Sequence, residues 1–81
     1  MAKSMHTPEY KHFTALLLKA RERAGMTQAE VAARLGKHQS YVAKYEGSER
    51  RLDVLEFVHL CAALGISPCE VINQVKSDLH I

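Results

Sequence analysis

Eighty-one residues, 47% of them apolar, are enough for one domain with one core, but too few to build a deep, water-excluding catalytic cleft beside it. A formal net charge of +2 is far too mild for a histone-like or arginine-rich polyanion binder. The charge is uneven, however: residues 1–51 carry ten Lys and Arg against five Asp and Glu, residues 52–81 one against four, so the first half would face a polyanion.

The first six residues, Met1 to His6, contain no signal-like apolar stretch and are expected to be flexible. Start and stop signals cut the rest into five short helices. Thr7-Pro8 sets a hydroxyl cap before a proline at the first helical position; Tyr10, Phe13, Leu17, Ala20 and Ala24 then recur at helical spacing until Gly25. Thr27 and Glu30 have the spacing of a capping box for a second helix, which buries Val31, Ala32 and Leu35 and stops at Gly36. A third runs from about Gln39 to Glu46, buries Val42 and Tyr45, and ends at Gly47-Ser48. Asp53 and Glu56 box a fourth, with Leu55, Val58, Leu60, Cys61 and Leu64 before Gly65. Ser67, Pro68 and Glu70 open a fifth, followed by Val71, Ile72, Val75 and Leu79. Residues 1–81 therefore read as a single all-α domain without repeats. The longest apolar runs span only a few residues, as at Ala15 to Leu18, against about twenty for a membrane span. Cys61 and Cys69 then read as reduced thiols of a cytoplasmic chain.

Only Gly36, Lys37 and His38 separate the second and third helices, too few for an antiparallel pair, so the two must cross steeply as a helix-turn-helix. In that geometry the second helix braces on phosphates and the third enters the major groove. The stretch Gly25 to Gly36, then Gln39 to Glu46, then Leu52-Asp53 through Ala63-Leu64-Gly65 resembles the phage-repressor type of helix-turn-helix, the XRE or Cro/repressor family, over about Phe13 to Ile72. The resemblance implies a lambda-repressor-like five-helix domain and a double-stranded-DNA-binding transcriptional regulator, a dimeric repressor reading the groove with its third helix. It also implies roles for single residues. Gln28, behind the Thr27 cap, holds a phosphate and braces Gln39, and Gln39 pairs with adenine N6 and N7. Ser40 and Lys44 take the other groove-facing positions, and Tyr41 meets a thymine methyl or the groove wall. Arg50 and Arg51 hold the backbone beyond. Thr27, Lys37 and His38 complete the candidate DNA-binding set. Arg21 pairs with Glu46 in a structural role.

Two departures from the family pattern stand out. His38 occupies a position commonly Ser or Thr, which makes it a poorer cap with an imidazole free for a base or phosphate. Glu46-Gly47-Ser48 replaces Glu, any residue, Gly, so the turn is expected to close one residue early and leaves Arg50 and Arg51 less firmly placed.

Other chemistry has little support. His59 and Cys61, two apart on a helix, point to opposite sides and cannot share a metal, no Ser/His/Asp set or glycine-rich phosphate loop is present, and neither cofactor nor enzyme activity is expected. Leu16, Leu18, Ile72, Val75, Leu79 and Ile81 exceed what such a core can bury, which points to a homodimer through the fifth helix with the first, and to a palindromic operator. The chain ends soon after the fifth helix, leaving no room for a sensing domain. A restriction-modification controller and a DNA-binding antitoxin fit the same length, and in another class so does a protein-interaction adaptor with an unknown protein partner.

Overall fold

A computed structural model describes residues 7–81, so the expected flexibility of residues 1–6 lies outside the described residues. Five helices follow in order: α1 (Pro8–Arg23), α2 (Gln28–Leu35), α3 (Gln39–Glu46), α4 (Val54–Leu64) and α5 (Pro68–Asp78), with no strand among the described residues. The all-α expectation holds, and so do the five helix positions, because four of the five starts are fixed by chemistry three residues long. Thr7 accepts from the Tyr10 N–H; Thr27 with Glu30 and Asp53 with Glu56 form complete capping boxes; Ser67 contributes the forward bond to the Glu70 N–H.

α2 packs on α3 and α4, α1 on α3 and α5, and α4 on α5. Their shared interior holds Leu17, Val31, Val42, Tyr45, Phe57, Leu60, Cys61 and Leu64. A row of tilted rings, Tyr10, Phe13 and Phe57, with centroids 5.8 and 5.3 Å apart, joins α1 to α4. Burial pushes the Cys61 thiol up to about 11, while the other free cysteine, Cys69, is exposed. Among the described residues no single helix is long and apolar enough to cross a membrane.

The inward face of α4 differs from the sequence expectation. Leu55 is 71% exposed and Val58 is also exposed, and Phe57 fills the core instead. At 100° per residue Phe57 lines up with Leu60, Cys61 and Leu64, whereas Leu55 lies about 160° around the helix from Phe57. α5 adheres more loosely than its periodicity suggests: none of its residues is buried, and Ile72 is 51% exposed.

The turn after α3 also departs from expectation. It does not close early, because Gly47 stays at φ −82° while Ser48 takes the left-handed position at φ 57°. The Ser48 N–H donates to the Tyr45 carbonyl (3.1 Å) and the Glu49 N–H to that of Lys44 (2.8 Å), satisfying the helix end. A serine there costs about 1–2 kcal/mol relative to glycine. Its hydroxyl offsets this: Thr14 donates to the Lys11 carbonyl, so buried Ser48 donates to Thr14 Oγ1 at 3.0 Å, tying the turn to α1.

Candidate nucleic-acid interface

The edge of α3 away from the core is set by the side chains that face inward. Val42 and Tyr45 are fully buried, which leaves His38, Gln39, Ser40 and Lys44 exposed along the opposite side. The connection from α2 is three residues long and turns on Gly36, at φ 66°, where a side chain would be strained. Thr27 and Lys37 are exposed on the same α2–turn–α3 unit. His38 caps α3 despite its departure from Ser or Thr: its Nδ1 accepts the Ser40 N–H at 3.2 Å and lies 3.0 Å from Ser40 Oγ. The ring achieves geometrically what a hydroxyl would.

Behind this edge lies a chain of polar contacts across three helices. Arg21 on α1 grips the carboxylate of Glu46 with two bonds, Nε to Oε2 at 2.6 Å and Nη2 to Oε1 at 3.0 Å, and its Nη1 donates to the Met26 carbonyl. The side chains are 14% and 3% exposed, and the grip raises the guanidinium's pKa beyond its ordinary value. Removing either partner would strand a charge at a cost of about 3–5 kcal/mol. Gln28, first in α2, donates from Nε2 to Glu46 Oε1 at 2.9 Å, and its own Oε1 accepts from Gln39 Nε2 at 2.6 Å. Sequence reasoning reached the Arg21–Glu46 pair and the Gln28–Gln39 brace, but not the Gln28–Glu46 bond that joins them. Its ends lie 18 residues apart on different helices, and no periodicity signals such a bond.

A second cluster gathers Tyr41, Arg50 and Glu56. Arg50 pairs with Glu56 and stacks over the Tyr41 ring at 4.8 Å, and Tyr41 Oη donates to Glu56 Oε2 at 3.0 Å. Lys37 Nζ sits 5.5 Å from the same ring. Glu56 is held below the usual carboxylate range, first by the Asp53 N–H and then by Arg50 and Tyr41; burial and Glu56 raise the Tyr41 phenol. Tyr41 and Arg50 are therefore half-buried and already partnered, whereas Lys44 and Arg51 are exposed, Arg51 lying over the Tyr10 ring at 5.2 Å. Glu56, read from sequence only as a cap, anchors this cluster. Arg34 turns away to the Ala63 carbonyl at the end of α4.

The five-helix fold is also found in known proteins. An XRE-family-like protein from Pseudomonas syringae pv. tomato superposes with a TM-score of 0.85 at 44% identity, covering 91% of this chain and 90% of that one. A Helix-turn-helix family profile spans residues 17–71. The chain belongs to the XRE-type helix-turn-helix family of DNA-binding regulators. Two further relatives of this XRE-type chain are informative. An uncharacterized HTH-type transcriptional regulator of Sinorhizobium fredii is 38% identical over 53 residues, 65% of this chain and 69% of that protein. The restriction-modification controller C.AhdI of Aeromonas hydrophila is 28% identical, with a TM-score of 0.73 over 78% of this chain and 91% of its own.

Proposed function

We propose that this XRE-type protein is a sequence-specific, double-stranded-DNA-binding repressor, acting in the cytoplasm as a homodimer, residues 1–81 forming one domain that reads the major groove with α3. The observation that carries this reading is the free polar edge of α3, backed by the Gln28 brace. With its side chains an α-helix is about 10–12 Å across, matching a groove about 12 Å wide. Gln39, Ser40, His38 and Lys44 are the base-reading candidates. Thr27, Gln28, Lys37 and Arg51 take phosphates, with the α2 N-terminus adding positive potential. Tyr41 and Arg50 flank the groove while held by Glu56, so Arg50 contributes less charge than an unpaired arginine would.

The apolar surface supporting the homodimer keeps the expected Ile72 of α5 and Ile81 beyond it, both exposed, but not the expected α1 residues. Leu16, Leu18, Val75 and Leu79 are half-buried, whereas Val54, Val58 and Ile72 are exposed together beside Pro68 and Cys69, a patch of α4 with α5 in place of α1 with α5. A twofold dimer bound to a palindromic operator needs its two α3 helices one DNA turn, about 34 Å, apart. Likeness to C.AhdI favours a restriction-modification controller over an antitoxin, and a neighbouring methylase gene would support it.

Selection of bound duplexes from a random pool tests the reading. The expected outcome is a palindromic consensus bound with an affinity that falls steeply with added salt, by roughly 10³-fold or more between 50 and 200 mM for six or more phosphate contacts. No enriched sequence, with flat salt dependence, would point to a protein-interaction adaptor instead.

A further inference from the structure

Gln39 can present either a carbonyl or an amino group to a base, and the choice is made at a residue it does not touch. The Glu46 carboxylate only accepts hydrogen bonds, and Arg21 already occupies both of its oxygens. Whatever else approaches Oε1 must donate, and Gln28 does so through Nε2. This turns Gln28 Oε1 toward α3, where it accepts from Gln39 Nε2. Gln39 thus directs one N–H inward and keeps its carbonyl and second N–H outward. An acceptor beside a donor complements the N6 amino group and N7 of adenine; it does not complement guanine, which offers two acceptors, O6 and N7.

We infer that Glu46 is a specificity-determining positioning residue: its carboxylate fixes the polarity of the Gln28–Gln39 amide pair and so makes Gln39 read adenine. The inference rests on the DNA-reading function proposed above. It separates charge from stability, because Glu46→Gln keeps the size of the side chain but offers an N–H that Gln28 can accept, so both amides can turn over. Arg21→Lys keeps the carboxylate, and with it the polarity, while giving up the two-pronged grip.

The test uses a duplex selected by the wild-type protein, in which each A·T pair is replaced in turn by G·C. Competition binding is measured for wild type, Gln39→Ala, Glu46→Gln and Arg21→Lys, each also melted thermally. Gln39→Ala is expected to become indifferent to one A·T pair. At that pair Glu46→Gln should lose an adenine preference of about tenfold or more while keeping its preferences elsewhere, and Arg21→Lys should keep the preference despite melting lower. The inference is overturned if Glu46→Gln retains the preference, if both variants lose it in proportion to stability, or if Gln39 maps to no A·T pair. Wild-type protein without any sequence preference would overturn the DNA-reading function itself. Should Glu46→Gln fail to fold, wild-type NMR decides: Gln28 side-chain amide protons should show Overhauser contacts to Glu46 methylenes, and contacts to the Gln39 side chain in their place would contradict the assignment.

Discussion

Tyr10 and Tyr45 show how differently one side chain can serve the same core. The Tyr10 hydroxyl donates to the Arg50 carbonyl and accepts from the buried Leu52 N–H, both at 2.9 Å, and so fastens the loop after α3 to α1. Tyr45 is fully buried with its hydroxyl unpartnered among the described residues, and burial pushes its phenol far above the usual range. Thermal unfolding should therefore separate two identical changes. Tyr10→Phe leaves the Leu52 N–H orphaned and is expected to cost about 1–3 kcal/mol, whereas Tyr45→Phe, which removes a group buried without a partner, should melt at or above wild type. Equal losses would contradict the assignment. Spacing alone marks both tyrosines as core candidates, but it does not reveal that the partner of Tyr10 lies 42 residues away. The same blindness applies to His38, whose residue type suggested a weak cap until the ring was seen to reach Ser40.

Among the helices, starts were legible and docking was not. Caps act over three residues, so Thr27, Asp53 and Ser67 announce their helices in the sequence; which stripe of α4 faces inward depends on neighbours that lie far along the chain. α5 is the clearest case, since its apolar periodicity is real yet no residue of it is buried. Part of its attachment is polar: His12 Nε2 on α1 meets Asp78 Oδ2 at 2.7 Å, while Gln74, within α5 itself, donates to Oδ1 at 2.7 Å. These bonds, His12 first, hold the Asp78 carboxyl below its ordinary range. A depressed carboxyl adds stability above the unfolded-state value, about 3.9, and loses it as pH falls through the folded-state value. The protection of α5 amides, taken relative to their intrinsic exchange rates at each pH, is expected to fall as pH drops below about 4. Asp78→Asn should lower it already at neutral pH and spare α2 to α4. Glu30 and Glu56, also lowered, cap α2 and α4, so an unchanged α5 in Asp78→Asn would assign the acid response to them.

For the molecule as a whole, charge and apolar surface divide the labour. The net-positive first half carries α2 and α3, and the net-negative remainder carries the exposed patch of Val54, Val58 and Ile72. Composition announced that division, along with a surplus of apolar residues on α5, but it counted Leu16 and Leu18 of α1 in the surplus because they look unpartnered in sequence. In the fold Leu16 lines a cleft with Ile66 and Val71, and Leu18 lies beside the Ser48 turn. If the patch joins two copies, Val58→Glu or Ile72→Glu should leave the monomer folded, since both side chains are exposed, and weaken dimerisation by about 30-fold, the order of one interface hot spot. Sedimentation measures this directly, and an unchanged dimer would move the interface elsewhere. Titration of isotope-labelled protein with its selected duplex, followed at each backbone and side-chain amide, shows whether the outer edge of α3 is the DNA-reading surface. Large shifts are expected to gather at Thr27, Gln28 and residues 37–44, with Gln39's side-chain amide among them; shifts confined to α1 and α5, with Gln39 unmoved, would put the DNA on another face.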